Sequence, residues 1–200
     1  MTYESELART REFFAARAAG WDTKYPDDGP RYAAAITELV LGAGQFVLDA
    51  GCGTGRALPY LRAAVGPDGT VLGLDLTPEM IRQATAHRTD AHLVTADVGH
   101  LPLRDSVLDA VFGAGLISHL PTPPANLREL ARATRPGGLL ALFHPIGRST
   151  LAARHGRDLT PDDLRAEPNL RPLLTAMGWR LTSYEDTAER FLAVAVRVAE

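Results

Sequence analysis

The run Asp49-Ala50-Gly51-Cys52-Gly53-Thr54-Gly55 sets an acid immediately ahead of a G-x-G-x-G loop. Glycines allow backbone dihedrals and a close ligand approach that side chains would block, so such a loop at a strand end can hold a small molecule. Dinucleotide loops share the glycines but read G-x-G-x-x-G, with a pyrophosphate at the next helix N-terminus. Here the third glycine comes one residue early. Asp49 would repel a phosphate and attract an ammonium or sulfonium group, so the pattern favours a cationic cofactor end. Two further acids follow, Asp75 at the end of VLGLD and Asp97 at the end of HLVTAD. His119 in FGAGLISHLP and His144 in LFHPIGR are the candidates for proton transfer, since a free histidine titrates at about 6.5.

These residues need elements to position them. Leu7, Phe14, Ala18 and Trp21 recur at helical spacing before the turn-rich TKYPDDGP, and Tyr32, Ile36, Leu39 and Val40 predict a second helix over 31–41. FVLDA then reads as a strand running into the glycine loop, and Ala57, Leu58, Leu61 and Val65 as the helix behind it. The same order repeats through VLGLD, a helix opened by Thr77-Pro78, HLVTAD and VLDAVFGAG. A helix through Leu127 and Leu130 is expected to end at Pro136-Gly137-Gly138, followed by LLALFH and a helical stretch from Thr160 to Met177. WRLTSYE and RFLAVAVRVA lie close enough in sequence to pair antiparallel. Strands alternating with helices predict an α/β fold, a doubly wound, mostly parallel seven-stranded sheet with an antiparallel C-terminal hairpin strand. Ligands in such sheets sit beyond the carboxyl ends of the strands, where these acids fall.

Composition narrows the function classes. The 200 residues suit one domain, expected as an N-terminal helix and lid over 1–30 and a ligand-binding domain over 31–200. A net charge of −3 without a basic tract argues against nucleic acid as partner. No apolar run approaches the ~18 residues of a membrane span, so stable membrane insertion is not expected. The single cysteine and the absence of a signal-peptide pattern at the start point to a cytoplasmic location.

In the order of these motifs, over roughly residues 31–198, the sequence resembles the class I S-adenosylmethionine-dependent methyltransferases. The resemblance implies a Rossmann-like fold and S-adenosyl-L-methionine as cofactor, with S-adenosyl-L-homocysteine as product. It assigns Asp49, Ala50, Gly51, Gly53 and Gly55 to the methionine portion. Asp75 would accept the ribose hydroxyl protons, beside Leu76 and Met80. Asp97 and Val98 would hold adenine, and Gly113 would line the same crevice. Trp21 and Tyr25 would fold over the cofactor as part of a lid and, with His119 and His144, line the pocket of a small-molecule acceptor. The segment 147–159 is a candidate for that pocket's other wall.

The same resemblance excludes substrates. Pro123-Pro124 lacks the Asn or Asp before it and the aromatic after it that DNA amino-methyltransferases carry, and GAGLISHLPTPP lacks the paired glutamates of protein arginine methyltransferases. No set of carboxylates suggests a divalent metal. Every candidate also has a plain structural reading. Asp75 and Asp97 could be solvated strand ends, Cys52 a small packing residue, Trp21 and Tyr32 cement between helix and core, His119 a contact to the next helix and His144 a partner of its own loop. An NAD(P)-dependent oxidoreductase, which would use Asp75 on a ribose, and a non-catalytic cofactor-binding regulator are the competing functions. The oxidoreductase reading lacks a Tyr-x-x-x-Lys pair, Lys24 being the only lysine.

Overall fold

The computed structural model describes residues 2–24 and 28–199. Its elements in chain order are α1 (Tyr3–Ala15), α2 (Trp21–Lys24), α3 (Gly29–Thr37), β1 (Phe46–Ala50), α4 (Leu58–Val65), β2 (Thr70–Asp75), α5 (Pro78–Ala86) and β3 (His92–Thr95). They continue with β4 (Leu108–Ala114), α6 (Pro123–Ala133), β5 (Thr134–His144), α7 (Arg148–Arg154), α8 (Glu167–Ala176), β6 (Trp179–Asp186) and β7 (Phe191–Arg197). The seven strands form one sheet in the order β3-β2-β1-β4-β5-β7-β6. The first five pair in parallel, and β7 runs antiparallel to both β5 and β6. The direction of winding reverses between β1 and β4, which opens a crevice at their carboxyl ends.

Both faces of the sheet are covered, as parallel strands require. Alternate residues of β1 go to opposite sides: Leu48 and Ala50 join Leu127, Leu130, Leu170 and Leu174 of α6 and α8, while Val47 joins Ile36, Leu58 and Leu61 of α3 and α4. Burying one such leucine stabilises the fold by roughly 1.5–3 kcal/mol, so these two layers fix where the strand ends lie.

The predicted architecture is present, and the deviations are local. The second helix stops at Thr37, and residues 38–40 form a turn in which Val40 adopts φ +48°. Pro136-Gly137-Gly138 does not end a helix. α6 unwinds at Thr134, whose hydroxyl donates to the Leu130 carbonyl, and Thr134 already pairs with Leu108. The glycines therefore lie inside β5 at a bulge, where a Cβ on Gly138 would come within 2.5 Å of Thr134 Cγ2. The stretch beginning at Thr160 is not helical until Glu167. Asp163 accepts from the Arg165 amide and Asn169 donates to the carbonyls of Pro161 and Asp163, so side chains take backbone partners that a helix would need. Pro168 sits in the first turn of α8, where a missing N–H costs nothing. The 147–159 segment contains the short helix α7. Among the described residues no helix is long and apolar enough to cross a membrane.

Candidate functional site

Asp49 is the penultimate residue of β1, Asp75 the last of β2, and Asp97 lies two residues beyond β3, so adjacent parallel strands deliver all three acids to one rim. The glycine loop leaves β1 with φ values of +69°, +55° and +86° at Gly51, Gly53 and Gly55, a left-handed path that L side chains resist. At Gly55 a Cβ would also fall 2.9 Å from Leu58 Cδ1 and 3.2 Å from Ala84 Cβ, so the loop packs tightly on α4 and α5.

The three acids have different surroundings. Asp49 is 1% exposed, and neither carboxylate oxygen has a hydrogen-bond partner. Burial, reinforced by the neighbouring Asp75, pushes its pKa up to about 8. A buried carboxylate without donors is costly, and a group that brings positive charge and N–H donors would relieve it. Asp75 instead spans two loops: Oδ2 accepts from the Gly53 amide and Oδ1 from the Thr77 amide, both at 2.8 Å. Desolvation raises its pKa while those amides oppose the rise. Each oxygen keeps one lone pair for a ligand hydroxyl. Thr77, the residue before α5, makes no side-chain cap bond; its carbonyl accepts from the Met80 and Ile81 amides while its own amide is spent on Asp75.

Asp97 is held by donors on three sides. Tyr3 Oη donates to Oδ2 at 2.6 Å, the Gly99 amide to Oδ1 at 2.8 Å, and His100 Nδ1 lies 3.0 Å from Oδ2. Desolvation works to raise its pKa, but these hydrogen bonds outweigh it and hold the group below the usual carboxylate range. Desolvation, aided by the bond to Asp97, pushes the Tyr3 hydroxyl up to about 12. Replacing Tyr3 by Phe removes one charge-assisted hydrogen bond worth about 1 kcal/mol at this half-exposed position. Amide exchange in α1 is expected to accelerate about fivefold, and unchanged protection of residues 3–15 would disprove that anchoring.

Two further contacts bind the N-terminal segment to the same rim. Thr54 in the glycine loop donates to Asp22 Oδ1 at 2.7 Å, and Arg56 pairs with Asp28 at 3.4 Å. Phe14 meets Trp21 at 5.6 Å in a tilted pair and His119 at 4.9 Å edge to face, so Trp21 joins His119 of the loop after β4 in one aromatic cluster. His144 Nδ1 lies 2.8 Å from the Ile146 carbonyl and faces the end of β4 across a small cavity shared with Gly113, Ser118 and Arg165. Desolvation, with Arg165 nearby, lowers the pKa of both histidines.

Among the other sequence-derived candidates, Met80 is buried on α5, Val98 is buried beside Asp97, and Ala50 and Leu76 follow Asp49 and Asp75 at the strand ends. Tyr32 is a core residue, packed against Phe112 and Phe143. Tyr25 lies outside the described residues. Tyr3, Asp22, Thr54 and Arg165 were not foreseen: Tyr3 and Asp22 are polar positions beside a helical pattern that marks only its apolar face, Thr54 is a polar side chain within the glycine loop, and Arg165 lies among turns without a periodic pattern. Cys52 is buried and its thiol pKa is raised by that burial, which fits a packing role. Among the described residues no three His, Cys, Asp or Glu side chains are gathered to hold a metal ion.

Residues 48–142 match the methyltransferase-domain family. The chain is 31% identical over 134 residues to an arsenite methyltransferase of Halobacterium salinarum, covering 64% of this chain and 32% of that protein. It is 38% identical over 99 residues to a malonyl-[acyl-carrier protein] O-methyltransferase of Pectobacterium atrosepticum, covering 50% and 38%. The chain thus spans less than half the length of these curated relatives. Among solved structures, a SAM-dependent methyltransferase from Aquifex aeolicus superposes with a TM-score of 0.71 at 25% identity, over 84% of this chain and 89% of that one. Glycine loop, ordered acids, sheet order and relatives agree in what this chain is similar to: nearly half of it matches the methyltransferase-domain family, and a SAM-dependent methyltransferase shares its fold.

Proposed function

We propose that the protein transfers the methyl group of S-adenosylmethionine to a small-molecule acceptor by in-line displacement, chiefly through positioning. The observation that carries this reading is Asp49, fully buried at the glycine loop with two unpartnered oxygens. The cofactor supplies an electrophilic methyl carbon on a sulfonium, whose departure leaves the electron pair on sulfur. Asp49 takes the amino group of the methionine portion, Asp75 accepts the ribose hydroxyls, and Asp97 offers the lone pair left by its three donors to the adenine amino group. Holding the reactants in line can lower a barrier by about 7–11 kcal/mol without any acid or base. Residues 1–30 act as the cover over a methyltransferase domain of 31–200, supported by the Tyr3, Asp22 and Asp28 contacts.

Where the acceptor arrives protonated, His144 takes the proton. It lines the cavity at the end of β4, and a lowered pKa keeps it unprotonated near neutrality. His119 packs on Phe14 and serves the pocket wall. The names of the relatives, an arsenite and a malonyl-carrier methyltransferase, support methyl transfer without agreeing on an acceptor. Cys52 is the sole cysteine and is buried, which supports a carbon-, nitrogen- or oxygen-centred acceptor over arsenic, and a cytoplasmic setting.

Calorimetry with S-adenosylhomocysteine, NADH and NADPH tests the cofactor, and release of S-adenosylhomocysteine with a library of small acceptors tests turnover. Binding of adenosylhomocysteine alone is expected; binding of a nicotinamide in its place would overturn the reading, and binding without turnover would leave a regulator. For a protonated acceptor, wild type should lose activity as the pH falls through the His144 pKa. His144→Asn should abolish that acid limb and His119→Asn should preserve it. An unchanged limb in His144→Asn removes the base.

A further inference from the structure

We infer that Arg165 is the specificity-determining residue of the acceptor pocket and that the acceptor bears a carboxylate, which this guanidinium anchors. The inference rests on the methyltransferase reading and adds the substrate class to it.

Arg165 stands where two spaces meet. It lines the cavity at the ends of β4 and β5 with Gly113, Ser118 and His144, and it also lines a larger hollow of about 200 Å³ with Leu151, Arg157, Leu159 and Thr160. The hollow is walled by α7 and the turns that follow it. An acceptor entering there meets Arg165 before it reaches the loop after β4.

The guanidinium is fixed and only partly used. Asp163 engages Nε and Nη2, both at 3.1 Å, in a two-pronged pair that sets the plane of the fork. Asp163 is itself braced by Arg148, which also pairs with Asp186 on β6 at 2.9 Å, so the arrangement is tied to the sheet. Among the described residues, nothing accepts from Arg165 Nη1, although the side chain is only 15% exposed. An amino group with two N–H donors, on a largely buried side chain that lines both spaces and whose plane Asp163 sets, matches one edge of a carboxylate. Asp163 sits between Arg148 and Arg165, while Asp186 takes part of the Arg148 charge. The four charges therefore balance, and selection comes from directed donors in a poorly solvated wall, not from a net positive field.

His119 and His144 lie close enough for the Arg165 charge to help keep both neutral. The Tyr184 hydroxyl donates to the Arg165 carbonyl, and Arg157 and Asp158 add one cation and one anion to the lining of the larger hollow, so Arg165 is the cation among the groups lining the cavity at the ends of β4 and β5. A neutral, fully apolar acceptor would leave the Nη1 donors desolvated and unpaired, the arrangement by which polar sites reject a ligand lacking the matching group.

The test uses the full chain saturated with S-adenosylhomocysteine and two probes of one shape, benzoate and benzamide, followed by saturation-transfer NMR and titration. Wild type should bind benzoate, and benzamide roughly tenfold or more weakly. Arg165→Met should weaken benzoate roughly ten- to hundredfold and remove the preference. Arg165→Lys retains the charge, preserves the pairing with Asp163, and should recover part of the benzoate affinity. Benzoate binding equally to wild type and Arg165→Met, or not at all to wild type, overturns the inference. A folding defect in Arg165→Met is read from its unfolding midpoint, in which case Arg165→Lys carries the comparison: loss of the fork must still cut the benzoate preference, and an unchanged preference overturns the inference. Adenosylhomocysteine affinity, measured in the same samples, separates the two claims. Failure of wild type to bind it defeats the methyltransferase reading, whereas normal binding without benzoate selectivity defeats only the role given to Arg165.

Discussion

Asp49→Asn is expected to raise the stability of the ligand-free protein near pH 8 while removing most of its affinity for S-adenosylhomocysteine. The folded carboxyl keeps its proton up to about pH 8, whereas the unfolded chain releases it near the ordinary value of 3.8. Between those values the folded state binds more protons, so its stability falls as the pH rises, by up to about 1.4 kcal/mol per pH unit. The accumulated cost at pH 8 is on the order of 5 kcal/mol. An amide removes that slope, though its own buried donors take back roughly 1–3 kcal/mol. A flatter pH profile and a net gain of a few kcal/mol at pH 8 should result.

Ligand binding should move the opposite way. The ionised carboxylate is the form that pairs with an ammonium, so wild-type affinity should tighten about tenfold per pH unit from 6 towards 8, until the ligand's own amino group loses its proton. Asp49→Asn should bind roughly a hundredfold more weakly and lose the rising limb. Urea unfolding at pH 5, 6.5 and 8 and calorimetry over the same range would check both halves. Parallel stability curves for the two proteins, or equal affinity, would remove Asp49 from the position argued for it.

Asp75→Ala should damage stability and binding together, in contrast to Asp49→Asn. It strips the Gly53 and Thr77 amides of their acceptor at a position only 9% exposed. Each orphaned donor costs about 1–3 kcal/mol, so the unfolding free energy should drop by roughly 2–5 kcal/mol. Cofactor affinity should fall about ten- to hundredfold, because the ribose partner and the shape of the glycine loop are lost together. Asp75→Asn, which keeps one acceptor oxygen, should lie between. Thermal unfolding with and without S-adenosylhomocysteine reads both effects. Full stability with weak binding would make Asp75 a ligand contact alone, and weak stability with normal binding would make it a structural brace alone.

The part of the site that was legible came from regular periods. FVLDAG, VLGLD and HLVTAD have apolar runs that end in acids, and a parallel sheet aligns such ends automatically, so Asp49, Asp75 and Asp97 could be brought together from sequence. What could not be read was how each acid is partnered. Asp49 without donors, Asp75 across two amides and Asp97 under Tyr3 look alike as letters, and the difference arises from chain separations such as the 94 residues between Tyr3 and Asp97. Pro136-Gly137-Gly138 misled for a related reason. Glycine after a helical pattern normally signals a stop, but the pairing of Thr134 with Leu108 had already begun the strand. Arg165 was invisible because it lies among turns whose form is set by Asp163 and Asn169 side chains, where no hydrophobic repeat exists to mark it.

The contacts of Tyr3, Asp22 and Asp28 clasp three different points on the rim from one stretch of polypeptide. On the proposed reading, a nucleoside seated beneath that clasp would exchange with bulk water as the clasp opens, so loosening any one of the three contacts should shorten its residence.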